Sequence, residues 1–179
     1  TMKELAENIE FLQRTGMYRK VTNPLSVLRV QEGSPYLQLA KNKGILGEQT
    51  EDLVFYHAQF LDPNVQKVAE LADKWVKDIY MLIFGLKGEV ASVTLGPGGV
   101  LSESAQHVQQ VLFGFRELEM QFINALTQRL LEDPNSDLTV TVNGFVNQRG
   151  ELVKHTAHLV EQGGIGNPRL LEAIKDITS

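Results

Sequence analysis

Between Val111 and Leu130 the chain reads VLFGFRELEMQFINALTQRL, with a large apolar residue at every third or fourth position. The stripe consists of Val111, Phe115, Leu118, Phe122, Leu126 and Leu130. Spacings of three and four place these side chains on one face of an α-helix. We expect this helix to begin at Ser102 or Ser104 and to end near Leu131. At about 1.5 Å per residue it is roughly 40 Å long, enough to cross a small domain.

Helix start and stop signals lie on both sides of this stretch. A helix over Met2–Thr15 is predicted to stop at Gly16, and Ser34-Pro35 and Asp62-Pro63 each pair a capping residue with a first-position proline. We therefore expect helices at 2–15, 35–44, 51–61 and 168–177. A further helix is expected to begin at Pro63 and to end at the glycines Gly85 and Gly88. The run Leu25–Gln31 is β-like.

Residues 138–160 show a different period. Valines at 140, 142 and 146 alternate with polar residues at 139, 141 and 143, a pattern typical of a strand. We expect an antiparallel hairpin over about 138–160, with residues 89–95 as a candidate third strand. A helix over 151–160 stays open, because Leu152, Thr156 and Val160 also share a helical face. The prediction is one helix-rich α+β domain over 1–179, with helices packed around one long helix and a small antiparallel sheet.

Composition narrows the classes of function. The 179 residues contain no cysteine, which excludes disulfides and Cys-ligated metal sites and fits a reducing compartment. The net charge of -5 disfavours nucleic-acid binding, which needs clustered lysine and arginine. No run reaches the roughly 18 apolar residues that span a bilayer. We expect a cytoplasmic protein without a membrane or nucleic-acid partner.

Two glycine-rich segments are candidates for anion binding. Gly96-Pro97-Gly98-Gly99 lacks the lysine of a phosphate loop, and Pro97 removes one N–H donor, so we interpret it as a strand-to-helix turn. Gly163, Gly164 and Gly166 lead instead into the helix start Asn167-Pro168 and then Arg169. Free N–H groups, a helix N-terminus and an arginine suit a carboxylate or phosphate. His155 and His158 precede this loop. The alternative function is therefore binding of a small anionic metabolite, or a small enzyme, at the Gly163–Arg169 loop with His155 and His158.

The sequence offers no catalytic constellation. His155 and His158 share a face only if their segment is helical, and no acidic residue lies between them to act as a base. No G-x-S-x-G motif occurs. Glu117 and Glu119 are expected to be solvated, although Glu119 lies close to the apolar stripe. We predict no catalytic residue, metal or cofactor, and we favour the interpretation that the protein is not an enzyme.

Two helical segments are apolar on more than one face. The long helix carries Phe113, Met120 and Ile123 outside its main stripe, and the preceding helix carries Trp75, Tyr80 and Met81. A helix that is apolar on several faces must be central in the core or covered by another subunit. The leading hypothesis is a non-enzymatic interaction or self-assembly domain, structural or regulatory, with a protein partner and a homo-oligomeric state. These six residues are its candidate interface.

Overall fold

The computed structural model of this chain describes residues 1–20, 25, 29–50, 54–94 and 103–162, together with 170, 172, 174, 175 and 177. Six α-helices lie in this part: α1 (Met2–Thr15), α2 (Pro35–Asn42), α3 (Pro63–Asp78), α4 (Tyr80–Thr94), α5 (Glu103–Glu132) and α6 (Thr139–Glu161). Its three strands are β1 (Arg29–Gln31), β2 (Leu46–Gln49) and β3 (Phe55–Ala58). The predicted fold class is confirmed: the chain is a helix-rich α+β protein whose helices pack around one long helix, and it also has a small antiparallel sheet.

The sheet does not lie where the sequence pattern placed it. Residues 139–161 form α6 and residues 89–94 belong to α4, so the predicted hairpin over 138–160 and the candidate strand at 89–95 are wrong. Helix α6 buries Val153, Thr156 and Val160, which recur at spacings of three and four. Burial of this face against α5 outweighs the strand propensity of the valines and threonines at its start. Residues 151–160 are therefore helical.

The observed sheet has the order β1-β3-β2, and both pairs are antiparallel. Helix α2 lies against β1 and β2. The helix and the sheet enclose a small core of Val30, Leu37, Ala40 and Ala58. A Cβ at Gly47 would lie 2.9 Å from the carbonyl oxygen of His57, so β2 needs a glycine at this irregularity. His57 lies on β3, and the helix predicted over 51–61 is wrong for residues 55–58.

The caps of α1 and α3 form as predicted, and they connect the two helices. Gly16 ends α1 in the left-handed conformation with φ 66°. Asp62 caps α3 by accepting from the backbone N–H of Asn64 at 3.0 Å. The other oxygen of its carboxylate accepts from the backbone N–H of Met2, also at 3.0 Å. The carboxylate of Asp62 therefore accepts from backbone N–H groups at the start of both helices, which have no partner within their own helix. The helix dipole also favours a negative charge there.

The helix that starts at Pro63 ends earlier than the sequence indicates. Helix α3 stops at Asp78, Ile79 leaves the helical conformation, and α4 then continues through Gly85 and Gly88, the residues expected to end it. Gly85 is a contact point, since a Cβ there would lie 2.6 Å from Cδ2 of Leu170. Leu170 and Ile174 are helical and buried, so these two residues belong to the core, with Leu170 against α4.

Helix α5 is the centre of the main core. It contacts α1, α3, α4 and α6, and its large side chains Phe115, Phe122 and Ile123 are almost fully buried. The ring of Trp75 on α3 stacks on Phe122 with centroids 4.6 Å apart. The guanidinium of Arg149 on α6 also lies over the ring of Trp75, 4.6 Å from its centroid, and pairs with Asp78 at 2.9 Å. These contacts hold α3 and α6 against α5.

The two glycines of α4 provide a matched test of this packing. Gly88→Ala meets no atom within 4 Å, and alanine is expected to stabilise a helix interior by about 0.5–1 kcal/mol. Gly85→Ala gains the same propensity but crowds the buried Leu170, and overpacking of this kind costs about 1–3 kcal/mol. We expect urea unfolding to show Gly88→Ala as more stable than wild type and Gly85→Ala as less stable. Equal gains would contradict the close packing of Leu170 on α4.

Candidate functional site

Helix α4 has an exposed apolar face. Its inner side buries Leu82, Ile83 and Leu86, whereas Tyr80, Met81 and Phe84 are 50%, 65% and 62% exposed. The rings of Tyr80 and Phe84 are nearly parallel, with centroids 6.2 Å apart. We call Tyr80, Met81 and Phe84 the α4 face. Three adjacent large apolar side chains in solvent form the kind of patch that marks an interaction site.

A cavity opens beside this face, between α3, α4 and α5. Its volume is about 290 Å³. The lining residues are Val76, Ile79, Tyr80, Ile83, Phe84, Lys87, Arg116 and Glu119. Tyr80 and Phe84 lie at the surface, while Arg116 and Glu119 are buried, so the cavity leads from the α4 face to charged groups inside the protein. We call it the α4–α5 cavity.

Arg116 and Glu119 form a buried ion pair one turn apart on α5. Nη1 of Arg116 donates to Oε2 of Glu119 at 2.6 Å, and the two side chains are only 3% and 2% exposed. Two of their atoms are also buried but have no hydrogen-bond partner within the described residues: Nε of Arg116 and Oε1 of Glu119. A buried polar atom left unpaired costs about 1–3 kcal/mol. The pair is therefore incompletely satisfied.

Burial also changes the protonation of this cluster. It raises the pKa of the Glu119 carboxyl above its usual range, although the hydrogen bond from Arg116 and the charges of Arg116 and Lys87 act in the opposite direction. Burial lowers the pKa of the Lys87 ammonium, and the positive charge of Arg116 adds to this effect. Perturbed groups that share a cavity are typical of binding and catalytic sites. The three residues line the same cavity and interact electrostatically, with the buried pair of Arg116 and Glu119 at its inner end.

The six predicted interface residues differ in their burial. Trp75, Met120 and Ile123 are buried within the chain's own core, so they are not available to a partner. Phe113 is partly buried, and the guanidinium of Arg19 lies 5.7 Å from its ring centroid. Tyr80 and Met81 are exposed, and Phe84 joins them. The burial of Trp75, Met120 and Ile123 follows from α5 being covered on several sides.

The predicted anion loop lies outside the described residues, and so does the turn at Gly96–Gly99. Gly163, Gly164, Gly166 and Arg169 therefore stay a prediction. His158 is exposed on α6, with its Nε2 2.8 Å from Nε2 of Gln162. His155 lies one turn earlier, also exposed, beside shallow grooves between α5 and α6. Within the described residues no group of three or more candidate metal ligands occurs.

Comparison with known proteins gives no match for this chain, whether with family models, curated proteins or solved structures. In the part of the chain that the structure describes, no helix has the length and apolar character needed to cross a membrane.

The expectation that Glu119 is solvated is wrong, and the sequence contains a signal for its burial. Arg116 and Glu119 are three residues apart, the spacing of an intrahelical ion pair. They lie in a helix that is apolar on several faces, where a charged side chain is buried together with its neighbours. Glu117, by contrast, is partly exposed and accepts from the hydroxyl of Tyr18.

The ion pair predicts a characteristic pattern of stabilities. Arg116→Met leaves the buried Glu119 without its partner at 2.6 Å, and breaking a buried pair typically costs about 3–5 kcal/mol. Arg116→Met/Glu119→Leu removes both charges, and we expect its free energy of unfolding to lie within about 1 kcal/mol of the wild-type value or above it. Free energies of unfolding from urea titration measure both variants. A double variant as unstable as the single one would show that the pair itself supports the fold.

Proposed function

We propose that this chain is a non-enzymatic self-assembling protein, a structural or regulatory subunit whose copies associate through the α4 face. The supporting observation is the exposure of Tyr80, Met81 and Phe84 next to one another on one helix. Fully burying one side chain of this size contributes roughly 1.5–3 kcal/mol. The cytoplasm is the proposed location, on the lack of cysteine in the sequence.

The charge distribution favours a second copy as the occupant of this face. The chain carries a net charge of -5, so two copies repel each other at a distance. The run Ile79–Leu86 contains no charged residue. In a two-fold symmetric contact each surface meets its own copy, and an uncharged surface then brings no like charges together. The face also has no charged group of its own that would select an oppositely charged partner.

The support beneath the α4 face suits an interface. Leu82 and Leu86 are fully buried on the opposite side of α4, and this side packs against α5. A rigid helix that already holds its exposed side chains in place loses little conformational entropy when these side chains are covered. The stacking of Tyr80 on Phe84 restricts the two rings in the same way. Association through this face therefore requires little rearrangement of the chain.

Sedimentation equilibrium over a range of concentrations tests the proposal. We expect wild type to change from monomer to dimer as its concentration rises. Met81→Lys places two charges in a symmetric contact and removes two apolar side chains, so we expect its dissociation constant to rise about 100-fold, because each 1.4 kcal/mol is tenfold. Met81 is 65% exposed, so this substitution is expected to leave the fold intact.

Val140→Lys is the matched control. Val140 lies on α6, is 83% exposed and receives the same added charge. We expect this variant to associate as wild type does. A wild-type chain that stays monomeric at high concentration would overturn the proposal. Equal weakening by Val140→Lys and Met81→Lys would show that association depends on overall charge and not on the α4 face.

A further inference from the structure

We propose that the α4–α5 cavity binds a small carboxylic acid with an apolar body, whose carboxylate reaches Arg116 and Glu119. The proposal starts from two side chains that are almost fully buried and line the same cavity, each with an unpaired polar atom. Nε of Arg116 is a donor without an acceptor in the described residues, and Oε1 of Glu119 also lacks a partner there. A head group bound at this position supplies the hydrogen-bond partners that these two atoms lack.

The size of the cavity limits the ligand. The volume is about 290 Å³, just below the 300–1,000 Å³ of typical small-molecule pockets. At about 30 Å³ for each water-sized atom, it has room for roughly ten non-hydrogen atoms. Octanoate, with eight carbons and two oxygens, has this size. Val76, Ile79 and Ile83 on the walls offer contacts to an aliphatic or aromatic body and none to a second polar group.

The charges at the inner end select the head group. Lys87 and Arg116 are cationic and Glu119 is the one acidic side chain among the described lining residues, so the lining favours a negatively charged head group. Nε of Arg116 is enclosed by its neighbours, so a carboxylate accepts from it through one oxygen once the Arg116 side chain turns toward the cavity that it lines. Its second oxygen shares a proton with Oε1 of Glu119, because two carboxylates at hydrogen-bond distance do not both stay ionised. An amine of the same length instead adds a third positive charge.

This inference does not depend on the proposed self-association. Met81 is not among the residues that line the cavity, so Met81→Lys removes the association and leaves the binding site in place. Tyr80 and Phe84 belong to both the α4 face and the mouth of the cavity. Binding is therefore measured in wild type and in Met81→Lys, and the two proposals fail separately.

Isothermal titration calorimetry with sodium octanoate tests the proposal, with octylamine and octan-1-ol as probes of equal chain length. We expect saturable binding of one octanoate per chain in both wild type and Met81→Lys. We expect octan-1-ol to bind at least about tenfold more weakly, because it lacks the charge that strengthens a hydrogen bond from arginine. Octylamine is expected to show no saturable binding.

Two variants localise the binding to the cavity. Arg116→Met/Glu119→Leu is expected to stay folded and to lose octanoate binding by at least about tenfold, because both polar contacts are gone. Glu151→Leu/Lys154→Met is the control, since it removes an exposed ion pair on α6, away from the cavity, and also leaves the net charge unchanged. We expect it to bind octanoate as wild type does.

Three outcomes would overturn the inference. The first is the absence of saturable octanoate binding. The second is octylamine or octan-1-ol binding as tightly as octanoate, which would show that the head group is not recognised. The third is full retention of octanoate binding by a folded Arg116→Met/Glu119→Leu variant, which would place the ligand elsewhere on the protein.

Discussion

Helix α5 packs against four other helices at once, and this constraint determines where the rest of the main core lies. Because α1, α3, α4 and α6 each cover part of its surface, residues on nearly every side of its central turns are buried. Phe115 and Phe122 are apolar and suit this buried environment without a partner. Arg116 and Glu119 do so only by pairing with each other, at 2.6 Å, inside the protein. The charged cluster is thus a consequence of how completely α5 is enclosed.

Helix α4 is apolar on both sides, but only its inner side takes part in enclosing α5. Its inner side supplies Leu82 and Leu86 to the core, and its outer side exposes Tyr80, Met81 and Phe84. The α4–α5 cavity lies between these two regions and joins the exposed rings to the buried ion pair. The proposed assembly surface and the proposed ligand site are therefore neighbours that share Tyr80 and Phe84. A ligand in the cavity would contact the same rings that a second copy would cover.

The predictions that succeeded depend on local signals, whereas those that failed depend on contacts distant in sequence. Asp62-Pro63 and the stripe of α5 define their helices by caps and periodicity alone. The strands have only three or four residues, too few for a clear alternation, and their pairing joins Val30 to Tyr56. Tyr80 and Met81 were predictable from a segment that is apolar all round. Glu119 was placed in solvent although its spacing from Arg116 and the apolar residues around it indicate a buried pair.

Hydrogen–deuterium exchange at two protein concentrations tests most directly the claim that α4 carries the binding surface. If copies associate through Tyr80, Met81 and Phe84, the backbone amides of α4 exchange more slowly at high concentration than at low concentration. Amides of α6, which lie outside the proposed contact, are expected to exchange at the same rate in both samples. Concentration-dependent protection confined to α6 or α1, with none in α4, would contradict the account.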